Sequence, residues 1–133
     1  MIDHISVGVS DLGKAKHFYD AALKPLGYSC VFTVDIPGEG VVAHGYGEAD
    51  KPSFWIGKPD RLDRDANAKG GVHVAFQAKS RAAIDAFYKA AIKAGAKDNG
   101  APGLRPHYHP TYYGAFAYDP DGNKIEACSH HPE

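Results

Sequence analysis

The sequence predicts an α+β domain built from two copies of one βαβββ unit, and three observations carry that reading. A short alternating run headed by a histidine occurs twice, as His4-Ile5-Ser6-Val7-Gly8-Val9 and as His73-Val74-Ala75-Phe76-Gln77-Ala78. A Phe-Tyr pair follows each run at the same offsets, Phe18-Tyr19 at 14 and 15 residues after His4 and Phe87-Tyr88 at 14 and 15 residues after His73. A glycine then closes each helical stretch, Gly27 at 23 and Gly95 at 22 residues past the histidine. Glycine suits that place because it tolerates the positive φ that ends a helix.

The elements follow in chain order. Each histidine-led run alternates with a period of two, as a strand does. Ser10 and Ser80 stand where helix N-caps are expected. Leu12, Ala15, Phe18 or Tyr19 and Ala22 fall on one face of the first helix, and Ile84, Phe87, Ala91 and Ala94 on one face of the second. Strand-like runs come next: Ser29 to Val34, Val41 to Tyr46 and Ser53 to Gly57 in the first half, Tyr112 to Tyr118 and Lys124 to Cys128 in the second. Lys97 to Pro110 is less regular. Asp119-Pro120-Asp121-Gly122 has the turn chemistry to join the last two strands as a hairpin. One domain over residues 1–133 is expected, with module one at about 1–57, a linker at about 58–70 and module two at about 71–130.

Composition bounds the function. The chain has 133 residues, 44% hydrophobic and 23% charged, enough for a hydrophobic core of its own. A net charge of −1 leaves no basic footprint for nucleic acid or an anionic membrane. No apolar run is long enough to span a bilayer, and no secretory signal heads the chain. Two cysteines without CxxC spacing make no disulfide scaffold, so a reduced, cytoplasmic protein is the expectation.

Strand parity then says which side chains share a face. Ile5, Val7 and Val9 lie opposite His4, Ser6 and Gly8, and Val72, Val74 and Phe76 lie opposite His73, Ala75 and Gln77. The branched and aromatic faces are expected to pack on the helices, leaving small and polar faces for a cavity lining. In the last strand Glu126 shares a face with Lys124 and Cys128. A carboxylate within a buried strand needs a partner or a cation. His4, His73 and Glu126 would make a three-ligand set with open positions for a first-row metal. Each could equally be an ordinary hydrogen-bonded residue, and pattern alone does not choose.

At these residues the sequence resembles the vicinal oxygen chelate superfamily, which includes glyoxalase I, extradiol dioxygenases, fosfomycin resistance enzymes and bleomycin resistance proteins. The stretches are DHISVGVSDLGKAKHFY (3–19), GGVHVAF (70–76) and YDPDGNKIEA (118–127). The resemblance implies an open, curved mixed sheet with helices on its outer face and a divalent metal (Fe, Mn, Zn or Ni) in its channel. It implies His4, His73 and Glu126 as ligands. The expected activity is Lewis-acid chemistry on a small oxygenated substrate, of the lyase or isomerase, thiol-transfer or dioxygenase kind. Glyoxalase I would carry a further carboxylate on the last strand of module one, where this chain has Trp55. A metal-free protein that sequesters a small molecule, in the manner of bleomycin resistance proteins, is the alternative. Small members of the superfamily pair, so a homodimer is expected, sometimes with sites drawn from both chains.

Arg105, His107, Tyr108, His109, Tyr112 and Tyr113 crowd the segment before the penultimate strand. As a substrate lip it offers Arg105, His109, Tyr112 and Trp55 for binding, and Tyr113 or His107 for acid/base work. As a bland alternative it is a polar surface loop stiffened by Pro106 and Pro110. His130-His131 read as a solvated tail.

Overall fold

The computed structural model describes residues 1–58 and 72–133. The expected linker therefore lies outside the described residues, apart from Lys58. Module one comprises β1 (Ile5–Gly8), α1 (Leu12–Leu23) with a 3₁₀ turn at Lys24–Leu26, β2 (Ser29–Ile36), β3 (Gly40–Gly47) and β4 (Phe54–Gly57). Module two comprises β5 (His73–Gln77), α2 (Arg81–Lys93), two short strands β6 (Lys97–Asp98) and β7 (Gly103–Leu104), then β8 (Tyr113–Tyr118) and β9 (Lys124–Ser129). Each module forms its own open mixed sheet, in the order β1-β4-β3-β2 and β5-β9-β8-β6, with β7 also pairing β8. In both, the first strand runs parallel to the last: Ser6 pairs Trp55 and Ala75 pairs Glu126.

The expected parity holds in β5 but only in part in β1, where Val7 is buried, Ile5 is exposed and Gly8 is buried. Val74 and Phe76 are buried while His73, Ala75 and Gln77 are exposed. Ala15, Phe18, Tyr19 and Ala22 of α1 and Ile84, Phe87 and Ala91 of α2 are buried with Val7, Ile56, Val74 and Ile125 in a core that both modules share. Phe54 and Phe76 meet edge to face across the module seam, centroids 5.0 Å apart. Among the described residues, no helix is long and apolar enough to cross a membrane.

The helix starts differ. Ser80 caps α2 as expected, accepting from Ala83 N at 3.1 Å. In α1 the cap is Asp11, which accepts from Lys14 N at 3.0 Å. Ser10 instead donates its N–H and its hydroxyl to Asp121 Oδ1 at 3.0 and 2.6 Å. A cap would use the Ser10 hydroxyl as an acceptor, whereas the Asp121 carboxylate engages both of its donors in charge-assisted bonds. Ser10 thereby ties the entry of α1 to the β8–β9 hairpin.

That hairpin is anchored by Asp119, 4% exposed. Its Oδ1 accepts from Asp121 N and Asn123 N, and its Oδ2 accepts from Asn123 Nδ2 at 2.8 Å and from Tyr19 Oη at 2.6 Å. Tyr19 is itself fully buried. Tyr19→Phe leaves a buried carboxylate short of one donor, so a loss of about 1–3 kcal/mol in urea unfolding is expected. A wild-type midpoint in this variant would show that the bond contributes nothing across the seam.

His44 on β3 predicts a pH dependence. It is 7% exposed and shares a 3.0 Å hydrogen bond with Thr33 Oγ1. Burial, helped by Lys16 and opposed by Asp20, holds its imidazole below the ordinary 6.5. The unfolded chain takes up that proton first, so this contribution is complete above pH 6.5 and is lost as pH falls toward the folded value. The denaturation midpoint should drop between pH 7 and pH 5, and His44→Gln should flatten the drop. An equal slope in wild type and variant rules His44 out as its source.

Candidate functional site

The exposed face of the module-two sheet gathers the polar groups. His73 opens β5 and Glu126 lies in mid-β9, with Lys124 directly across from His73. His73 Nε2 lies 2.8 Å from Glu126 Oε2, an imidazole 41% exposed above a carboxylate 3% exposed. The other carboxylate oxygen accepts from the Tyr112 hydroxyl. Burial holds that hydroxyl well above the ordinary phenol range, and the adjoining carboxylate adds to the shift. Tyr112 therefore stays protonated at neutral pH and serves as a donor. Cys128, next on the same face, has its thiol pushed up by burial and stays a thiol.

This arrangement fixes the local chemistry. With both oxygens held, Glu126 keeps one orientation. His73 Nε2 stands against the second carboxylate oxygen as an ion-pair contact. His73 and Glu126 are also spaced as neighbouring ligands of one ion would be, since two ligands at right angles and about 2.1 Å from an ion lie about 3 Å apart.

The other expected site residues are dispersed. His4 is exposed, and its Nδ1 pairs with Asp3 Oδ1 at 2.8 Å. It occupies the same register in module one as His73 in module two, but Trp55 stands where Glu126 would be, so no carboxylate waits for it there. Among the described residues no three His, Cys, Asp or Glu side chains are grouped to hold an ion. Trp55 lies over Gly45, its partner across β3, where an added Cβ would come within 2.9 Å of the indole. With Phe32, which is 54% exposed, Trp55 forms an aromatic platform, ring centroids 6.0 Å apart.

The lip residues divide by face. Tyr113 points to α2, donating to Asp85 Oδ1 at 2.8 Å with the Arg81 guanidinium over its ring. Tyr112 points to Glu126. Parity held that signal, because Tyr112, Gly114 and Phe116 alternate onto the face of Glu126 while Tyr113, Ala115 and Ala117 do not. His107 is exposed and packs against Tyr108 at a tilt, ring centroids 4.3 Å apart. His109 Nε2 meets His130 Nδ1 at 2.6 Å, so His130 packs on the lip instead of trailing in solvent. Arg105 lies along the Phe116 ring, and Lys124 approaches the same ring. Phe116, which nothing in the sequence singles out, is the ring that both cations share.

A profile of the Glyoxalase/Bleomycin resistance protein/Dioxygenase superfamily matches residues 1–127. The chain belongs to that superfamily. A glyoxalase/bleomycin resistance protein from Albidiferax ferrireducens T118 shares 33% identity, with 95% of each chain covered and a TM-score of 0.74. A glyoxalase-related enzyme from Fulvimarina pelagi has the same fold at 17% identity and a TM-score of 0.72, covering 96% of this chain and 86% of that one. A glyoxalase/bleomycin resistance protein/dioxygenase family enzyme from Burkholderia phytofirmans PsJN does so at 18% identity and 0.69, covering 96% of each chain. A search of curated proteins found no match.

Proposed function

We propose that the protein is a metal-dependent enzyme acting on a small oxygenated molecule at the His73–Glu126 pair. The observation behind this reading is the buried Glu126 carboxylate, held on one oxygen by Tyr112 and facing His73 Nε2 on the other. The pair supplies two of the donors expected for Fe, Mn, Zn or Ni, and His4 is not beside them in one chain. A second copy would complete the set. The sheet faces favour such pairing, since Phe32, Ile5, His73, Ala75 and Gln77 all lie open. A cavity of about 160 Å³ opens instead at the module seam, lined by Ile5, Tyr46, Phe54, Val74 and Phe76, and does not take in His73 or Glu126.

A bound divalent ion would supply Lewis-acid stabilisation of negative charge on a substrate oxygen. The chain's own residues do the rest. Tyr112 fixes the carboxylate and holds its proton at Oη. Glu126 and His73 Nε2 would hold the ion side by side. The reaction type, whether isomerisation, thiol addition or oxygen insertion, is left to substrate screening.

Elemental analysis of the untagged protein after chelation and metal reloading tests the reading. One ion per chain in wild type, lost in His73→Ala and in His4→Ala, is the expected result. Stoichiometric metal in both variants would overturn it. Sedimentation velocity should show a dimer that His4→Ala leaves intact.

The Phe32–Trp55 platform favours a second reading, a metal-free protein that sequesters an aromatic molecule. Ligand affinity unchanged by chelators and lost in Trp55→Ala would select it.

A further inference from the structure

Two cations on the module-two face have no carboxylate within ion-pair distance among the described residues. Lys124 Nζ lies 5.3 Å and the Arg105 guanidinium 5.5 Å from the centroid of the Phe116 ring. The two charges are therefore at most about 11 Å apart, close to one screening length at physiological salt. Neither is within ion-pair distance of a carboxylate among the described residues, Glu126 included.

Arg105 is held in that place. Its Nη2 donates to Ala101 O at 2.7 Å and its Nη1 to Leu104 O at 3.3 Å, leaving three of five donors unused. Two glycines make room for it. A Cβ on Gly103 would stand 3.0 Å from Nη1, and one on Gly100 would stand 3.4 Å from Nη2 and 3.2 Å from the Phe116 ring. A guanidinium positioned by backbone carbonyls, glycines and a ring face has lost the freedom that usually makes a surface arginine a weak ligand. Phe116 pairs directly with Glu126 across β8 and β9, and its ring centroid is 6.1 Å from that of His73. The two cations thus flank the proposed centre.

We propose that the substrate of this site is an anion, whose carboxylate or phosphate group binds Arg105 and Lys124 at the Phe116 ring while its oxygenated carbon reaches His73 and Glu126. The proposal rests on the centre described under Proposed function and adds the substrate class.

The probes are 4-hydroxybenzoate and its uncharged counterpart 4-hydroxybenzamide, titrated by NMR into the wild-type protein, Arg105→Met, Lys124→Met and Glu126→Gln. Wild type should bind the benzoate about tenfold or more tightly than the amide, the gap that charge-assisted hydrogen bonds produce. Each methionine variant should lose most of that gap while keeping its affinity for the amide, which also reports an intact face. A wild type that prefers neither probe overturns the proposal, as do methionine variants that retain the full preference. Glu126→Gln separates the two claims. Loss of metal with no benzoate preference in any form sinks only the anion site. A preference that depends on Arg105 and Lys124, in a protein whose metal content ignores Glu126, sinks only the metal centre.

Discussion

Glu126→Gln should remove tight metal binding and catalysis while leaving the fold in place. The side chain is 3% exposed and both of its oxygens are engaged, so the position tolerates little change in shape. Glutamine has that shape. Its carbonyl oxygen can accept from Tyr112, and its amide can face the His73 imidazole as a donor to Nε2. The formal charge is what disappears, and a neutral amide is a poor ligand for a first-row cation. Loss of a charged group at such a centre lowers turnover by about a hundredfold or more. Melting temperature separates this outcome from misfolding. The glutamine variant should melt within about 4 °C of wild type, a shift of about 1 kcal/mol or less in a chain of this size. Glu126→Ala should melt lower, since it opens a void and strands the Tyr112 hydroxyl. A glutamine variant that keeps one ion per chain and full activity removes Glu126 from the centre.

The architecture was legible because duplication writes it twice. Either histidine-led run alone would be an ordinary strand; the pair, with Phe18-Tyr19 and Phe87-Tyr88 at equal offsets, specifies the repeat. Parity was legible in β5 for the same reason that it holds physically, since Val74 and Phe76 join the core at the seam with Phe54 while His73 and Ala75 stay open. Legibility ended where local competition or distance decided the outcome. Ser10 and Asp11 are both good caps, and only the approach of Asp121, 111 residues away, settles which of them serves. Tyr112 and Tyr113 are the same residue type side by side, and only the period-two alternation that continues into β8 separates their faces. The placing of Arg105 depends on Gly100 and Gly103, whose role appears only when the backbone brings them against a guanidinium.

The repeat also explains why the two modules differ in chemistry. Trp55 and Glu126 hold equivalent places opposite Ser6 and Ala75. In module two the carboxylate captures its histidine, and the face becomes polar and charged. In module one the indole fills that place and spreads over Gly45, and His4 turns to Asp3. One repeated fold therefore presents an aromatic face in module one and a polar, charged face in module two. Bringing His4 beside the His73–Glu126 pair requires the face of one copy to meet the other face of its partner.

Gly47→Ala should be the most destabilising single-methyl change in the described fold. Gly47 ends β3, and its backbone does not need positive φ; what it needs is space. A Cβ there would stand 1.9 Å from Lys51 O and 2.9 Å from Lys51 C, both backbone atoms. No rotamer can relieve such a contact, so the chain from Glu48 to Pro52 would have to move. That turn is already constrained, with Ala49 at φ 53° and Lys51 N bonded to Glu48 O. It delivers Ser53, whose N–H donates to Tyr46 O and whose carbonyl accepts from Ile5 N. Displacing the turn therefore loosens β4 from β3 and β1 together, and with β4 the seat of Trp55. A loss of about 3 kcal/mol is expected, the upper range of overpacking, equivalent to roughly a 10 °C fall in melting temperature. Gly38→Ala is the matching control. Gly38 has φ +85° and nothing within 4 Å, so its alanine variant meets backbone strain alone, about 1–2 kcal/mol. Urea unfolding of the two variants side by side ranks steric against conformational cost. A Gly47 variant as stable as the Gly38 variant would mean that the 48–52 turn does not sit on β3 as described, and that Trp55 is positioned by something other than this turn.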